Sequence, residues 1–254
     1  SQEEIVTRDY IAGGTADLVC ILADASQLER SLFMMADYAG IRMPVILLLN
    51  MMDIAALQGK KINSAALSKE LGIPVIPITA ADTKSYDGFF QALEQAQKTP
   101  AELNFKGLLD LYTGRIGETY QRVLELLPEA GVGVYSAAWL AAKLLEQDSP
   151  AMEIVKSAVT ADTANRLASL LRKVKDGSLL TGDCKFKWIE SLLKDTVTTS
   201  PSKKPKPVMN RFDRLATSKT WSKPLAVGII ILGLIVSMAL AMPFMGLFGY
   251  LPTV

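Results

Sequence analysis

The run Val45-Ile46-Leu47-Leu48-Leu49 limits what this chain can fold into more than any other stretch. Five consecutive leucyl or β-branched side chains offer no polar face, which suits a parallel strand covered on both sides. Pro44 introduces the run, and it stops at Asn50, with Asp53 three residues on. In open α/β sheets, ligands gather at the carboxyl ends of the strands, where Asn50 and Asp53 stand. Two more strand-like runs, Asp17 to Asp24 and Pro74 to Thr79, flank this one at spacings of about 28 residues, the signature of right-handed βαβ crossovers. Helical patterns fill the gaps. Ser26 serves as an N-cap for a helix carrying Leu28, Leu32, Met35 and Ala39 up to Gly40. A polar connector, Gln58-Gly59-Lys60-Lys61, precedes a helix from Ser64 to Leu71 that ends on Gly72, and a further helix runs from Tyr86 to Gln97. At the start, residues 2–12 read as a short amphipathic helix with a Ser1/Glu4 capping box, broken by Gly13-Gly14.

A carboxylate at a strand end accepts two hydrogen bonds from the N1–H and exocyclic amino group of guanine, a donor pair that adenine lacks, and an Asn bridges the base edge to the surrounding loop. Asn50-Met51-Met52-Asp53 resembles the Asn-x-x-Asp base-specificity motif of Ras-like GTPases, with Met51 where a Lys is usual. An unbranched thioether can lie along the purine face as the Lys stem does. Thr79-Ala80-Ala81 follows the third strand at the place where Ras-like proteins carry a Ser-Ala loop whose backbone N–H meets the guanine oxygen. The candidate site is therefore Asn50, Met51, Asp53, Thr79, Ala80 and Ala81. The competing reading is that Asn50 and Asp53 merely cap the following helix.

From Thr99 to about residue 200 the strand-helix alternation ceases. Leu108, Tyr112, Ile116, Tyr120, Val123 and Leu127 line one helical face; Trp139, Leu140, Lys143 and Leu144 lie on a helix capped by Ser136; Leu167, Leu170, Leu171 and Val174 mark a third, and Phe186, Ile189, Leu192 and Leu193 a fourth. These stripes are core patterns. The net charge of +1 hides an uneven distribution, since residues 203–223 hold seven Lys or Arg against Asp213 alone. No charged residue follows Lys223, and Leu225 to Met242 would rise roughly 27 Å as a helix, close to the hydrocarbon thickness of a bilayer. The basic flank puts the preceding residues in the cytoplasm, and Pro243 is expected to kink or end the span. The two cysteines suit a reducing compartment, and the lack of His removes the commonest transition-metal ligand.

Taken together, the segments resemble the FeoB-type bacterial ferrous iron transporters. The match is carried by Glu3-Glu4-Ile5-Val6 with Arg8-Asp9-Tyr10, Asp24-Ala25-Ser26 with Leu28-Glu29-Arg30, Leu49-Asn50-Met51-Met52-Asp53, and Trp139-Leu140 with Lys143-Leu144-Leu145-Glu146; Arg211-Phe212-Asp213-Arg214 precedes the apolar span as a similar element does in that family. The resemblance implies an α/β fold, a partial Ras-like GTPase parallel sheet over residues 1–99, followed by an all-α helical domain over 100–198, a basic linker over 199–223 and a transmembrane helix within 224–254. It implies GTP or GDP as ligand, Fe²⁺ as the transported ion, and residence in the bacterial inner membrane with the N-terminal domains cytoplasmic. Expected partners are guanine nucleotide, the lipid bilayer, the remaining transmembrane domain, a small cytoplasmic protein and further copies of the chain, with no nucleic acid. The departures matter as well. No Gly-x-x-x-x-Gly-Lys-Ser/Thr loop occurs, so Mg²⁺ and hydrolysis are expected only with a phosphate-binding part outside this sequence. The family's Asp-x-x-Gly motif is expected upstream of Ser1; Asp37-Tyr38-Ala39-Gly40, late in a helix, is a chance match. The chain is thus expected to begin within a domain and to be a fragment, with its own enzymatic status open. The alternative is a membrane-anchored, non-catalytic GTPase-like binding module.

Overall fold

Parallel pairing organises the first hundred residues of the computed structural model, which describes residues 6–7, 10–13, 16–199, 215–216 and 218–249. Strand β1 (Val19–Asp24) leads through a 3₁₀ turn, Ala25–Gln27, into α1 (Leu28–Met35). Then come β2 (Val45–Asn50), α2 (Met52–Leu57), β3 (Lys60–Ile62), α3 (Ser64–Leu71), β4 (Val75–Pro77) and α4 (Asp87–Lys98). β2 is central, with β1 and β4 as parallel neighbours. Its alternating side chains divide between two layers: Val45, Leu47 and Leu49 join the main core, while Ile46 and Leu48 pack with Ile78, Ala92 and Ala96 under α4. Both faces are covered, as the unbroken apolar run requires. Each such buried side chain stabilises the fold by about 1.5–3 kcal/mol. β1 lies at the edge of this sheet, and its Cys20 and Leu22 are exposed.

Local chemistry sets the ends of the elements. α3 starts on Asn63, whose Oδ1 accepts the Ala66 N–H at 3.0 Å, and stops at Gly72, which takes φ +68°. At the first helix, however, the cap is Asp24 rather than Ser26. Its carboxylate accepts the Ser26 N–H at 2.8 Å and holds the 3₁₀ turn, so α1 begins only at Leu28. That hydrogen bond, partly opposed by desolvation, lowers the pKa of Asp24.

The remainder is mostly helical: α5 (Lys106–Leu111), a π turn over Tyr112–Ile116, α6 (Glu118–Glu125), α7 (Ala137–Leu145), α8 (Ser149–Ala158), α9 (Ala161–Leu171) and α10 (Gly177–Thr196), then β5 (Val197–Thr199) and, after the linker, α11 (Ser222–Gly249). The stripe from Leu108 to Leu127 is buried throughout. Three successive steps of four residues would drift around an ordinary helix of 3.6 residues per turn. The wider π turn, closed by Gly117 N–H to the Tyr112 carbonyl at 3.3 Å, keeps Tyr112, Ile116 and Tyr120 on the core side. On α10 the inward residue is Trp188, and Phe186 is exposed instead, because Cys184, Trp188 and Ile189 keep the helical repeat. Helix α8, capped by Asp148 through Ala151 N–H at 2.8 Å, is an element that the apolar stripes did not announce.

The connector at Lys60-Lys61 is a strand. β3 pairs antiparallel with β5, Lys60 opposite Thr199 and Ile62 opposite Val197. The chain divides into a unit of residues 1–202 and a second of 203–254. Within the first, one hydrophobic core contains Leu32 and Leu47 together with Leu140 and Ile189, so the sheet and the helices are packed as one body of contacts. In the second, α11 continues through Pro243 to Gly249. Ser1 and Glu4 of the expected capping box, residues 200–214 of the linker, and Arg211-Phe212-Asp213-Arg214 lie outside the described residues.

Candidate functional site

The carboxyl edge of the sheet brings Asn50 and the loop after β4 together. Asn50 ends β2, and its Oδ1 accepts the Ala80 N–H at 3.1 Å. Met51 follows in the left-handed region at φ 60° and ψ 31°, 45% exposed, before α2 begins. A left-handed non-glycine residue carries strain of the kind found where a chain is held for function. Asp53 falls in the first turn of α2 and is exposed. Neither Asn50 nor Asp53 caps that helix: its N-cap is Met51, with no side-chain bond, and the Asn50 oxygen is committed to the loop.

The loop itself is cross-braced. Ser85 Oγ accepts the Thr79 N–H at 3.0 Å and lies 3.1 Å from the Thr79 carbonyl, which also accepts the Asp82 N–H at 2.8 Å. Asp82 in turn caps the following 3₁₀ turn through Lys84 N–H. Tyr86 donates its hydroxyl hydrogen to the Ala80 carbonyl at 2.7 Å. Sequence reasoning found Asn50, Thr79, Ala80 and Ala81 at this edge because they stand at strand ends. It missed Ser85 and Tyr86, which act through single hydrogen bonds and carry no periodic signal.

The opposite end of β2 is gripped by the helical part. Between α1 and β2, the Gly40 carbonyl accepts the Ser136 N–H at 2.9 Å, the Arg42 N–H reaches the Val134 carbonyl at 2.8 Å, and the Arg42 guanidinium spans the Ala130 and Gly133 carbonyls. Trp139 Nε1 donates to the Asp37 carbonyl at 2.8 Å, and its ring stacks on Tyr135. Beside it, Asp37 pairs with Lys143 and Lys185, and both lysines pair with Glu146. The helical residues thus hold the strand whose far end carries Asn50.

The two adjoining grooves along α1, β3 and α10, of about 640 and 750 Å³, meet at Lys60 and Phe186 and are lined by none of the candidate site residues. Lys60 Nζ donates to the Ser26 carbonyl there. The candidate residues lie instead at the carboxyl end of β2 and in the loop after β4. Among the described residues, no group of three or more acidic or Cys side chains converges to hold a metal ion.

Comparison with known proteins gives this arrangement a family. Residues 1–93 match the family model for ferrous iron transport protein B, and residues 112–198 match that for the FeoB cytosolic helical domain. The Fe(2+) transporter FeoB of Escherichia coli K12 is 28% identical over 223 residues, covering 84% of this chain and 27% of its own length. That of Salmonella typhi is 27% identical over 225 residues, covering 84% and 28%. The chain therefore spans little more than a quarter of these curated relatives. A GDP-bound mutant of the S. thermophilus FeoB G-domain superposes with a TM-score of 0.64 at 27% identity, over 78% of this chain and 76% of that one. The cytosolic domain of L. pneumophila FeoB shares the fold, with a TM-score of 0.61 at 22% identity over 78% and 75% of the two chains. With both matches in consecutive order on a parallel sheet and a helical remainder, the chain belongs to the FeoB family and carries its G-domain and cytosolic helical domain folds.

Proposed function

We propose that this chain reads the guanine base for a GTP-regulated ferrous iron transporter, with Asp53 accepting from the base N1–H and amino group. The observation that carries this reading is the Asn50–Ala80 hydrogen bond, which ties the motif to the loop, while Asp53, in the first turn of α2, is exposed. With its oxygen committed, Asn50 keeps its amide nitrogen as a donor for the N7 acceptor of a purine. Met51, held outward, lies along the purine face. Thr79, Ala80 and Ala81 supply the backbone against the 6-oxo group. Hydrolysis and Mg²⁺ binding belong to a Gly-x-x-x-x-Gly-Lys-Ser/Thr loop, which residues 1–254 do not contain. The helical region passes nucleotide state toward a membrane domain that moves Fe²⁺, and α11 is its first span in the inner membrane, with residues 1–202 in the cytoplasm.

Asp53→Asn tests the base assignment in the full-length protein, where phosphate contacts make binding measurable. An amide offers one acceptor and one donor, so one guanine contact is lost and a donor meets a donor. Charge-assisted bonds are worth about 1.5–3 kcal/mol each, so GTP affinity should fall by roughly tenfold to several hundredfold. Xanthine presents a carbonyl in place of the amino group, and XTP should bind more tightly to the variant than to the parent. Fluorescent-nucleotide titration reads both; unchanged GTP and XTP affinities would remove Asp53 from the site.

A further inference from the structure

We propose that Tyr86 is a positioning residue that aims the Ala81 N–H at the 6-oxo group of the base. The unit joining Thr79 to Ala80 is pinned on both sides, its carbonyl by Asp82 N–H and its N–H by Asn50 Oδ1. The next unit, joining Ala80 to Ala81, is pinned on one side only: its carbonyl accepts from the Tyr86 hydroxyl at 2.7 Å. The Ala81 N–H at the other side has no acceptor among the described residues. No peptide bond in the described chain is cis, and in a trans unit the C=O and N–H point in opposite directions. Anchoring the carbonyl on Tyr86 therefore fixes the direction of that N–H. A pinned donor meets an acceptor without first being ordered, and the gain falls on the lifetime of the complex. Ala80 and Ala81 carry only methyl groups, so no side chain obstructs the approach.

This inference rests on the guanine reading above, and the test separates the two. In the full-length protein, Tyr86→Phe keeps the ring and removes the hydroxyl, so the thermal midpoint should hold. The release rate of fluorescent GDP should rise about threefold to tenfold, the range one neutral hydrogen bond supports. A second arm measures 2-aminopurine riboside diphosphate, which lacks the 6-oxo group, as a competitor of fluorescent GDP. Its affinity should be the same in parent and variant, because the loop N–H has nothing to meet. An equal loss for both nucleotides, or no loss for GDP, overturns the positioning role. If Asp53→Asn also fails to favour XTP, the guanine assignment has failed; if it favours XTP, only the role of Tyr86 has.

Discussion

Asp37, Lys143, Glu146 and Lys185 close a ring of ion pairs at 2.6–2.9 Å, with Lys143 8% and Lys185 5% exposed. Desolvating four charges is costly, so the ring adds little net stability as a unit, yet removing one member leaves an uncompensated buried charge. Lys185→Met should destabilise residues 1–202 by about 3 kcal/mol, the low end of that range because Asp37 remains partly solvated. Adding Glu146→Leu should recover most of it, and urea unfolding of the single and double variants reads the difference. The same ring gives a pH signature. Burial pushes the Asp37 carboxyl up, but Lys185 and Lys143 outweigh it and hold it below its ordinary value of 3.8. Burial pushes Lys143 down, but Glu146 and Asp37 outweigh it and hold it above 10.5. A depressed acid contributes stability that is present above its unfolded value and lost as pH falls through the folded one; a raised base contributes stability present below its unfolded value and lost as pH climbs through the folded one. These two groups should therefore leave stability level between about pH 4 and 10, and remove it beyond either end. In Lys185→Met the acid-side decline should begin at higher pH, since Asp37 loses a neighbouring cation. Thermal melts across pH check this, and a parent-like acid limb would count against it.

At Gly40 the turn that feeds β2 meets α7 closely. At φ +102°, a Cβ there would stand 2.6 Å from Ser136 Oγ and 2.9 Å from Trp139 Cβ, so Gly40→Ala must strain the backbone and part α7 from the turn that feeds β2. A loss of about 2–4 kcal/mol is expected. Gly182, inside α10 with nothing within 4 Å, is the opposite case, and Gly182→Ala should stabilise by about 0.5–1 kcal/mol. Denaturant midpoints of the two variants should move in opposite directions. This contrast also marks what the sequence makes legible. Features set by local chemistry are readable: the two-sided burial of β2, the Asn63–Gly72 span of α3, and the meeting of Asn50 with Ala80 at strand ends. Features set by distant partners are not. Lys60-Lys61 reads as a loop until Thr198 and Thr199 pair with it, and the structural contacts of Asp37 and Gly40 arise only when α7 and α10 bring Ser136, Lys143 and Lys185 against them. Ser85 and Tyr86 escape for the same reason, since each contributes one bond to a loop.

Over the whole molecule, the two units present opposite surfaces to their surroundings. Residues 1–202 bury their apolar runs, whereas within the 21 residues Ser222–Met242 the mean hydropathy reaches 2.7 over 18 residues and none is buried. At 1.5 Å per residue such a stretch rises about 31 Å, which matches a hydrocarbon core of about 30 Å. Ile230, Leu232, Leu234 and Leu240 each keep more than half of their surface exposed, an arrangement that water penalises and lipid does not. Lys219 stands just before it and Lys223 at its start, beside Trp221, a positive and aromatic flank of the kind that the positive-inside rule places on the cytoplasmic side of a span. Residues 1–202 alone should therefore be monodisperse in plain buffer, and the full chain should require detergent or vesicles. Leu232→Arg, near the middle of the stretch, should cost about 2.5–3.5 kcal/mol of insertion. In cells, the parent should stay with membranes through alkaline carbonate extraction while the variant moves toward the soluble fraction. A full chain that scatters light as a monomer without detergent, or an arginine variant that remains in the membrane pellet as the parent does, would show that α11 does not span a bilayer.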